Sequence, residues 1–128
     1  MALIGKTDQL DDIGELIKED KAAISEEKLD KARYHLLAHA TEDIDLEALA
    51  AELGLSYSRF RTLFRKHTGR SPRQYQLDIR MNRAMELLKE SQRTITEISE
   101  MLGFSAVYYF SRLFKQRVGQ SPAQFRRG

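Results

Sequence analysis

The feature that most constrains this chain is that it contains one stretch twice. Slid against itself by fifty residues, Phe60, Leu63, Phe64, Gly69, Ser71, Pro72, Gln74 and Tyr75 fall on Phe110, Leu113, Phe114, Gly119, Ser121, Pro122, Gln124 and Phe125. Upstream, Leu46, Leu49 and Leu53-Gly54-Leu55-Ser56 fall on Ile95, Ile98 and Leu102-Gly103-Phe104-Ser105 at a shift of forty-nine. One residue is therefore inserted in the second copy, between Ser105 and Phe110. Self-similarity at a fixed period is the mark of a duplicated structural unit.

Each copy reads as two helices around a glycine. Asp45 can cap a helix from Leu46 to Leu53 with Leu46, Leu49, Ala50 and Leu53 on one face. Gly54 breaks it, and a second helix starts at Ser56 or Tyr57 and runs to about Thr68, where Gly69 ends it. A short helix, a tight turn and a second helix of about a dozen residues make a helix-turn-helix pattern. In the second copy Thr94-Ile95-Thr96-Glu97 is a capping box, Ile95, Ile98 and Leu102 form the apolar face, Gly103 the turn and 106–118 the second helix. Ser121 caps a short closing helix containing Gln124, Phe125 and Arg126.

Between the copies, Ser71-Pro72-Arg73-Gln74 reads as a capping box with proline at the first helical position. Tyr75, Ile79, Ala84, Leu87 and Leu88 then outline an apolar stripe on a helix of about 19 residues, roughly 28 Å long. Ahead of the first copy, Leu29, Ala32, Ala38 and the run Tyr34-His35-Leu36-Leu37 predict a helix from 26 to about 39, lying across the first unit. Residues 1–25 carry a short helical pattern in Leu10, Ile13 and Ile17 and read as a linker or N-terminal extension. The expectation is an all-α, seven-helix domain over 26–128. It has two helix-turn-helix units, about 26–70 and 91–128, joined by a long linker helix over 71–90.

Composition narrows the function classes. The chain has 128 residues, 41% apolar and 31% charged, and no cysteine, so neither a disulfide frame nor a thiolate metal site is available. It has no signal-peptide core and no run long enough to cross a bilayer, which points to a cytoplasmic protein with no membrane partner. No glycine-rich phosphate loop, Ser/His/Asp set or close carboxylate pair is present, so neither an enzyme nor a bound cofactor is expected. His35 and His39 stand i, i+4 but lack a third ligand and read as a surface pair, not a metal site. His67, near a helix C-terminus, reads as structural.

The net charge of +2 hides an asymmetry. Residues 1–30 carry four lysines against nine acids, net −5, whereas 31–128 carry seventeen Lys/Arg against ten acids, net +7. Between 59 and 83, Arg59, Arg61, Arg65, Lys66, Arg70, Arg73, Arg80 and Arg83 face only Asp78. Such clustering attracts a polyanion.

Drawn as wheels, the second helices of the two copies separate into two faces. Phe60, Leu63, Phe64 and His67 share one side of the first, Ser58, Arg61, Thr62 and Arg65 the other. In the second copy the inner side is Phe110, Leu113, Phe114 and Arg117, the outer side Tyr108, Ser111, Arg112 and Lys115. The core face is copied while the outer face is rewritten, as two reading heads of different specificity require. One such polar face is the ordinary look of a solvated helix; two in register are not. Arginine can donate two hydrogen bonds to guanine, serine and threonine adapt to several bases, and an apolar group can touch a thymine methyl. Arg61 and Arg112 are therefore the expected base contacts, flanked by Ser58, Thr62, Val107, Tyr108 and Ser111. Arg59, Arg65, Lys66 and Lys115 are expected at phosphates. Tyr108 and Tyr109 could stack on bases, although Tyr109, beside Phe110, suits half-buried packing equally well. The competing reading is a non-catalytic helical module that binds protein.

These residues carry a family likeness. Residues from about 31 to 128 resemble the DNA-binding domain of the AraC/XylS family of transcriptional regulators. The most specific part is Ile95-Thr96-Glu97-Ile98, Gly103-Phe104-Ser105, Tyr109-Phe110-Ser111, Phe114-Lys115, Gly119-Gln120-Ser121-Pro122 and Phe125-Arg126. The resemblance implies a sequence-specific activator or repressor. It would bind double-stranded DNA at an asymmetric site, with base contacts at Ser58, Arg61, Thr62, Val107, Tyr108, Ser111 and Arg112. It also implies RNA polymerase as a partner near promoters and a DNA-binding part that is monomeric on its own. Ser99 stands where alanine is common in the family. Members usually carry a separate effector-sensing or dimerisation domain, and the acidic first thirty residues favour the C-terminal part of a longer regulator. Successive major grooves on one side of B-DNA recur about every 34 Å, so a rod of roughly 28 Å plus head offsets predicts adjacent grooves and some bending of the DNA.

Overall fold

The computed structural model describes residues 26–128; the extension 1–25, with its pattern at Leu10, Ile13 and Ile17, lies outside the described residues. Among the described residues the backbone is helical between turns and contains no strand. The described part of α1 is 26–38. It is followed by α2 (Leu46–Glu52), α3 (Tyr57–Thr68), α4 (Pro72–Glu90), α5 (Ile95–Met101), α6 (Val107–Val118) and α7 (Pro122–Arg127).

The duplication is carried into three dimensions residue for residue. Helices α2 and α5 are both 7 residues long, α3 and α6 both 12. Phe60 and Phe64 pack at 5.6 Å and Phe110 and Phe114 at 5.9 Å, ring to ring. Each pair is closed by an edge-on aromatic from the helix that follows, Tyr75 on Phe64 at 5.4 Å and Phe125 on Phe114 at 5.6 Å. Such tilted and edge-on geometries are the favoured ones for aromatic pairs.

Two apolar cores result. The first holds Leu29, Ala32, Leu36, Leu49, Ala50, Leu53, Phe60 and Phe64, with Tyr75 against it. Helix α1 thus lies across the first unit as expected. Its buried positions are Leu29, Ala32 and Leu36; Ala38, Tyr34 and Leu37 face outward. The second core holds Leu77, Met81, Ala84, Leu88, Ile98, Leu102, Phe104, Phe110 and Phe114. Four of its members come from α4, so the connector is a wall of the second unit as well as a spacer.

That corrects the stripe expected on α4. Tyr75, Ile79 and Leu87 are only half-buried, whereas Gln76, Leu77, Arg80 and Met81 are buried. Different faces of α4 touch different cores and a loop, so the covered surface is broader than one apolar stripe and includes polar positions.

The helix ends follow the capping chemistry, with two exceptions. Asp45, Ser56, Ser71, Thr94 and Ser121 each accept a bond from the backbone N–H three residues on. The boxes at Thr94/Glu97 and Ser121/Gln124 are complete. At Ser71 the box is half made: Ser71 Oγ accepts from the Gln74 N–H, but Gln74 Oε1 accepts from Arg70 and Arg117 instead. The second exception sits at the inserted residue. Helix α6 is capped by Ala106, which offers no side-chain bond, because the insertion moves Ser105 one position too early.

Candidate nucleic-acid interface

The outer faces of α3 and α6 are built by what the inner faces must bury. Phe60, Phe64, Phe110 and Phe114 are fully covered, which fixes the rotation of both helices and turns the residues between them outward. Ser58, Arg59, Arg61, Thr62, Arg65 and Lys66 on α3 are exposed, as are Val107, Tyr108, Arg112 and Lys115 on α6, while Ser111 is half-buried. Leu63 and Leu113 are only partly buried and flank their cores.

Local contacts shape these faces. Thr62 Oγ1 donates to the Ser58 carbonyl at 3.1 Å. The Arg112 guanidinium lies 5.7 Å from the centre of the Tyr108 ring, one helical turn away, and Tyr108 itself is 71% exposed. Tyr109 is half exposed and tilts against Phe104 at 5.9 Å. Arg61 and Arg65 line a shallow cavity of about 350 Å³ with Gly69, Arg70, Ser71 and Gln74. A second, formed by Tyr109, Arg112, Leu113, Lys115 and Gln116, lies along α6.

The cations divide into two sets. Among the described residues Arg59, Arg61, Arg65, Lys66, Arg112 and Lys115 make no ion pair. Of the others counted in the basic stretch, Arg73 is likewise exposed and makes no ion pair among the described residues, whereas three are spoken for. Arg70 pairs with Asp78 at 2.9 Å, and Arg83 donates to the Leu37 carbonyl at 2.8 Å. Arg80 is 5% exposed, and burial pulls its guanidinium below the ordinary arginine value. It donates to the Ala40 and Glu42 carbonyls at 2.7 and 3.0 Å. Arg70, Arg80 and Arg83 therefore belong to the architecture rather than to a polyanion-binding face; the carbonyls that hold Arg80 and Arg83 are distant in sequence and leave no signal in a charge count.

The histidines make surface contacts. His67 bonds Asp30 at 2.8 Å, tying the last turn of α3 to α1, and this bond holds the Asp30 carboxyl below its ordinary value. His39 bonds Glu42 at 2.7 Å and stacks on His35 with ring centres 4.6 Å apart. Among the described residues no group of three His, Cys, Asp or Glu could hold a metal ion, and no helix is long and apolar enough to cross a membrane.

This arrangement is found in known proteins. A family model described as a helix-turn-helix domain matches residues 49–128. The MmsAB operon regulatory protein of Pseudomonas aeruginosa is 34% identical over 98 residues, covering 77% of this chain and 32% of that protein. The HTH-type transcriptional activator RhaS of Salmonella schwarzengrund is 32% identical over 107 residues, covering 84% of this chain and 38% of that protein. The chain thus spans about a third of the length of these curated relatives. Among solved structures, the C-terminal domain of the response regulator AraT from Geobacillus stearothermophilus superposes with a TM-score of 0.73 at 34% identity, covering 78% of this chain and 84% of that one. The DNA-binding domain of the global transcriptional factor AdpA, solved with a target DNA, gives 0.71 at 32% identity and covers 77% and 88%. An AraC-type regulator from Chromobacterium violaceum gives 0.71 at 30% identity, covering 81% and 93%.

Proposed function

The chain belongs to the AraC-type helix-turn-helix family of transcriptional regulators, and from that premise we propose that α3 and α6 each enter a major groove, in successive turns on one side of the duplex. Arg61 and Arg112 donate to guanine edges, with Ser58, Thr62, Val107, Tyr108 and Ser111 reading the neighbouring pairs. Arg59, Arg65, Lys66 and Lys115 grip phosphates and hold the register. Because α3 and α6 share a core face and differ on the outer one, the two sub-sites have unlike sequences. One copy of the domain therefore suffices for an asymmetric site. RNA polymerase near promoters is a further partner of this domain, and effector sensing belongs to the longer regulator of which it forms the C-terminal part.

One observation carries the reading. On α3 and α6, none of the arginines and lysines that the packed phenylalanines turn outward makes an ion pair among the described residues, whereas His67 and Arg117 on the other side are paired. Exposed charges without partners are what a phosphate-lined ligand neutralises. The AdpA likeness supports the same use, since that domain was solved on DNA.

Selection of bound duplexes from a random pool, followed by titration of single variants, tests it. Arg61→Ala and Arg112→Ala are each expected to cost about 1–3 kcal/mol and to relax preference at different base pairs about one helical turn apart. Equal loss on every sequence would demote both to phosphate contacts. Absence of duplex binding would favour a helical module that recognises protein.

A further inference from the structure

The two units touch, and the contact is built from backbone. At Gly103, in the turn of the second helix-turn-helix, a Cβ would lie 2.1 Å from the carbonyl oxygen of Thr41, in the loop between α1 and α2 of the first unit. The equivalent Gly54 has only Lys28 Nζ nearby, at 3.8 Å. Arg80 spans this seam. It donates to Ala40 and Glu42 on one side, reaches the Gly103 carbonyl at 3.4 Å on the other, and lies 5.0 Å from the centre of the Phe104 ring. Gln76, one turn earlier, donates to the same Ala40 and Glu42 carbonyls at 3.0 and 2.9 Å. On α4 a second bridge runs from Arg70, at the end of the first unit, through Gln74 and Asp78 to Arg117 in the last turn of α6.

We propose that these two bridges form a clasp fixing the angle between the helix-turn-helix units, so that Arg80 and Asp78 are positioning residues that set the spacing of DNA sub-sites the chain accepts. A helix alone would fix the distance between heads, not their rotation; rotation is set by contacts off its axis, and here they are made on two faces of α4. Apart from Gln76, the directional donors are arginines, whose planar fork holds several acceptors at once. The statement about spacing rests on the groove reading above; the statement about the angle does not.

The chain has no cysteine, so Glu52→Cys on α2 and Glu100→Cys on α5, both exposed and outside the proposed interface, can carry a pair of spin labels in the full chain. Dipolar spectroscopy is expected to give one narrow distance distribution for the parent and a broadened one for Arg80→Met and for Asp78→Asn, each checked for folding by circular dichroism. Arg80→Met leaves Gln76 on both shared carbonyls, and Asp78→Asn acts on the partly exposed bridge, so at least one variant should stay folded; Arg80→Lys should recover only part of the narrowing. On the selected duplex, inserting one base pair between sub-sites should weaken the parent about tenfold or more, and the variants several-fold less. Folded variants with the parent's distance distribution would overturn the clasp. If distances respond while the parent ignores spacing, the angle is upheld and its role in DNA reading is overturned.

Discussion

Two glycines at the same position of the repeat separate conformational need from steric need. Gly54 and Gly103 both have positive φ, 75° and 88°, so alanine at either is strained by about 1–2 kcal/mol. Only Gly103 also faces a backbone carbonyl that cannot move aside. Gly103→Ala is therefore expected to destabilise the chain by about 1–3 kcal/mol more than Gly54→Ala, read as the difference between two urea midpoints; equal midpoints would mean that the seam opens freely. Ser99 is a converse case. Its hydroxyl is buried in α5 without a partner among the described residues, so Ser99→Ala should raise stability by about 1 kcal/mol. The turn glycines are legible in the sequence, but not which of them is pressed. Contacts between residues sixty apart have no local pattern, and for the same reason Arg80 was counted among the polyanion-attracting charges.

Helix boundaries were the most legible part, because caps are local chemistry. Asp45, Ser56, Thr94, Ser121 and the glycines 69 and 119 act where their types and spacing put them. The misreadings occur where a third partner intervenes, as at Gln74, whose amide oxygen is drawn to Arg70 and Arg117. The insertion was visible; its consequence, an uncapped α6, follows from it. Ala106→Ser restores an acceptor at the N-cap and is expected to stabilise by about 0.5–2 kcal/mol in thermal or urea unfolding, with no gain if the Ala106 backbone (φ −140°, ψ 129°) aims the hydroxyl away. On α5, the Thr94 backbone and side-chain bonds hold the Glu97 carboxyl below the usual glutamate value. A carboxylate whose value is lowered by folding stabilises above its unfolded value and loses that contribution as pH falls through the folded one. The stability gap between the parent and Glu97→Gln should therefore be constant near neutrality and close below about pH 4; a gap unchanged at pH 3 would show that the charge does not matter to the cap.

For the molecule as a whole, binding strength and its salt dependence should come from different arginines than a charge count suggests. Six cations on α3 and α6 make no ion pair among the described residues; at about −0.9 per neutralised phosphate the four assigned to phosphates give a log–log salt slope near −4, which steepens to about −5 to −8 if Arg61, Arg112, Arg73 and neighbouring cations also displace counterions. The same bookkeeping separates the classes by mutation. Removing Arg65 or Lys115 should make the slope about one unit shallower on every sequence. Removing Arg83, committed to the Leu37 carbonyl, should leave the slope alone while lowering stability. If the heads are clasped and each recognition helix must still sit fully in its groove, the duplex has to supply the remaining adjustment by bending, at a cost on the order of 1–6 kcal/mol. Duplexes carrying a flexible pyrimidine–purine step between the sub-sites should then bind more tightly than equally matched stiff ones, although no side chain touches that step. Indifference to the intervening sequence, measured with both sub-sites unchanged, would mean that the protein yields instead of the DNA, and would count against a fixed angle between the heads.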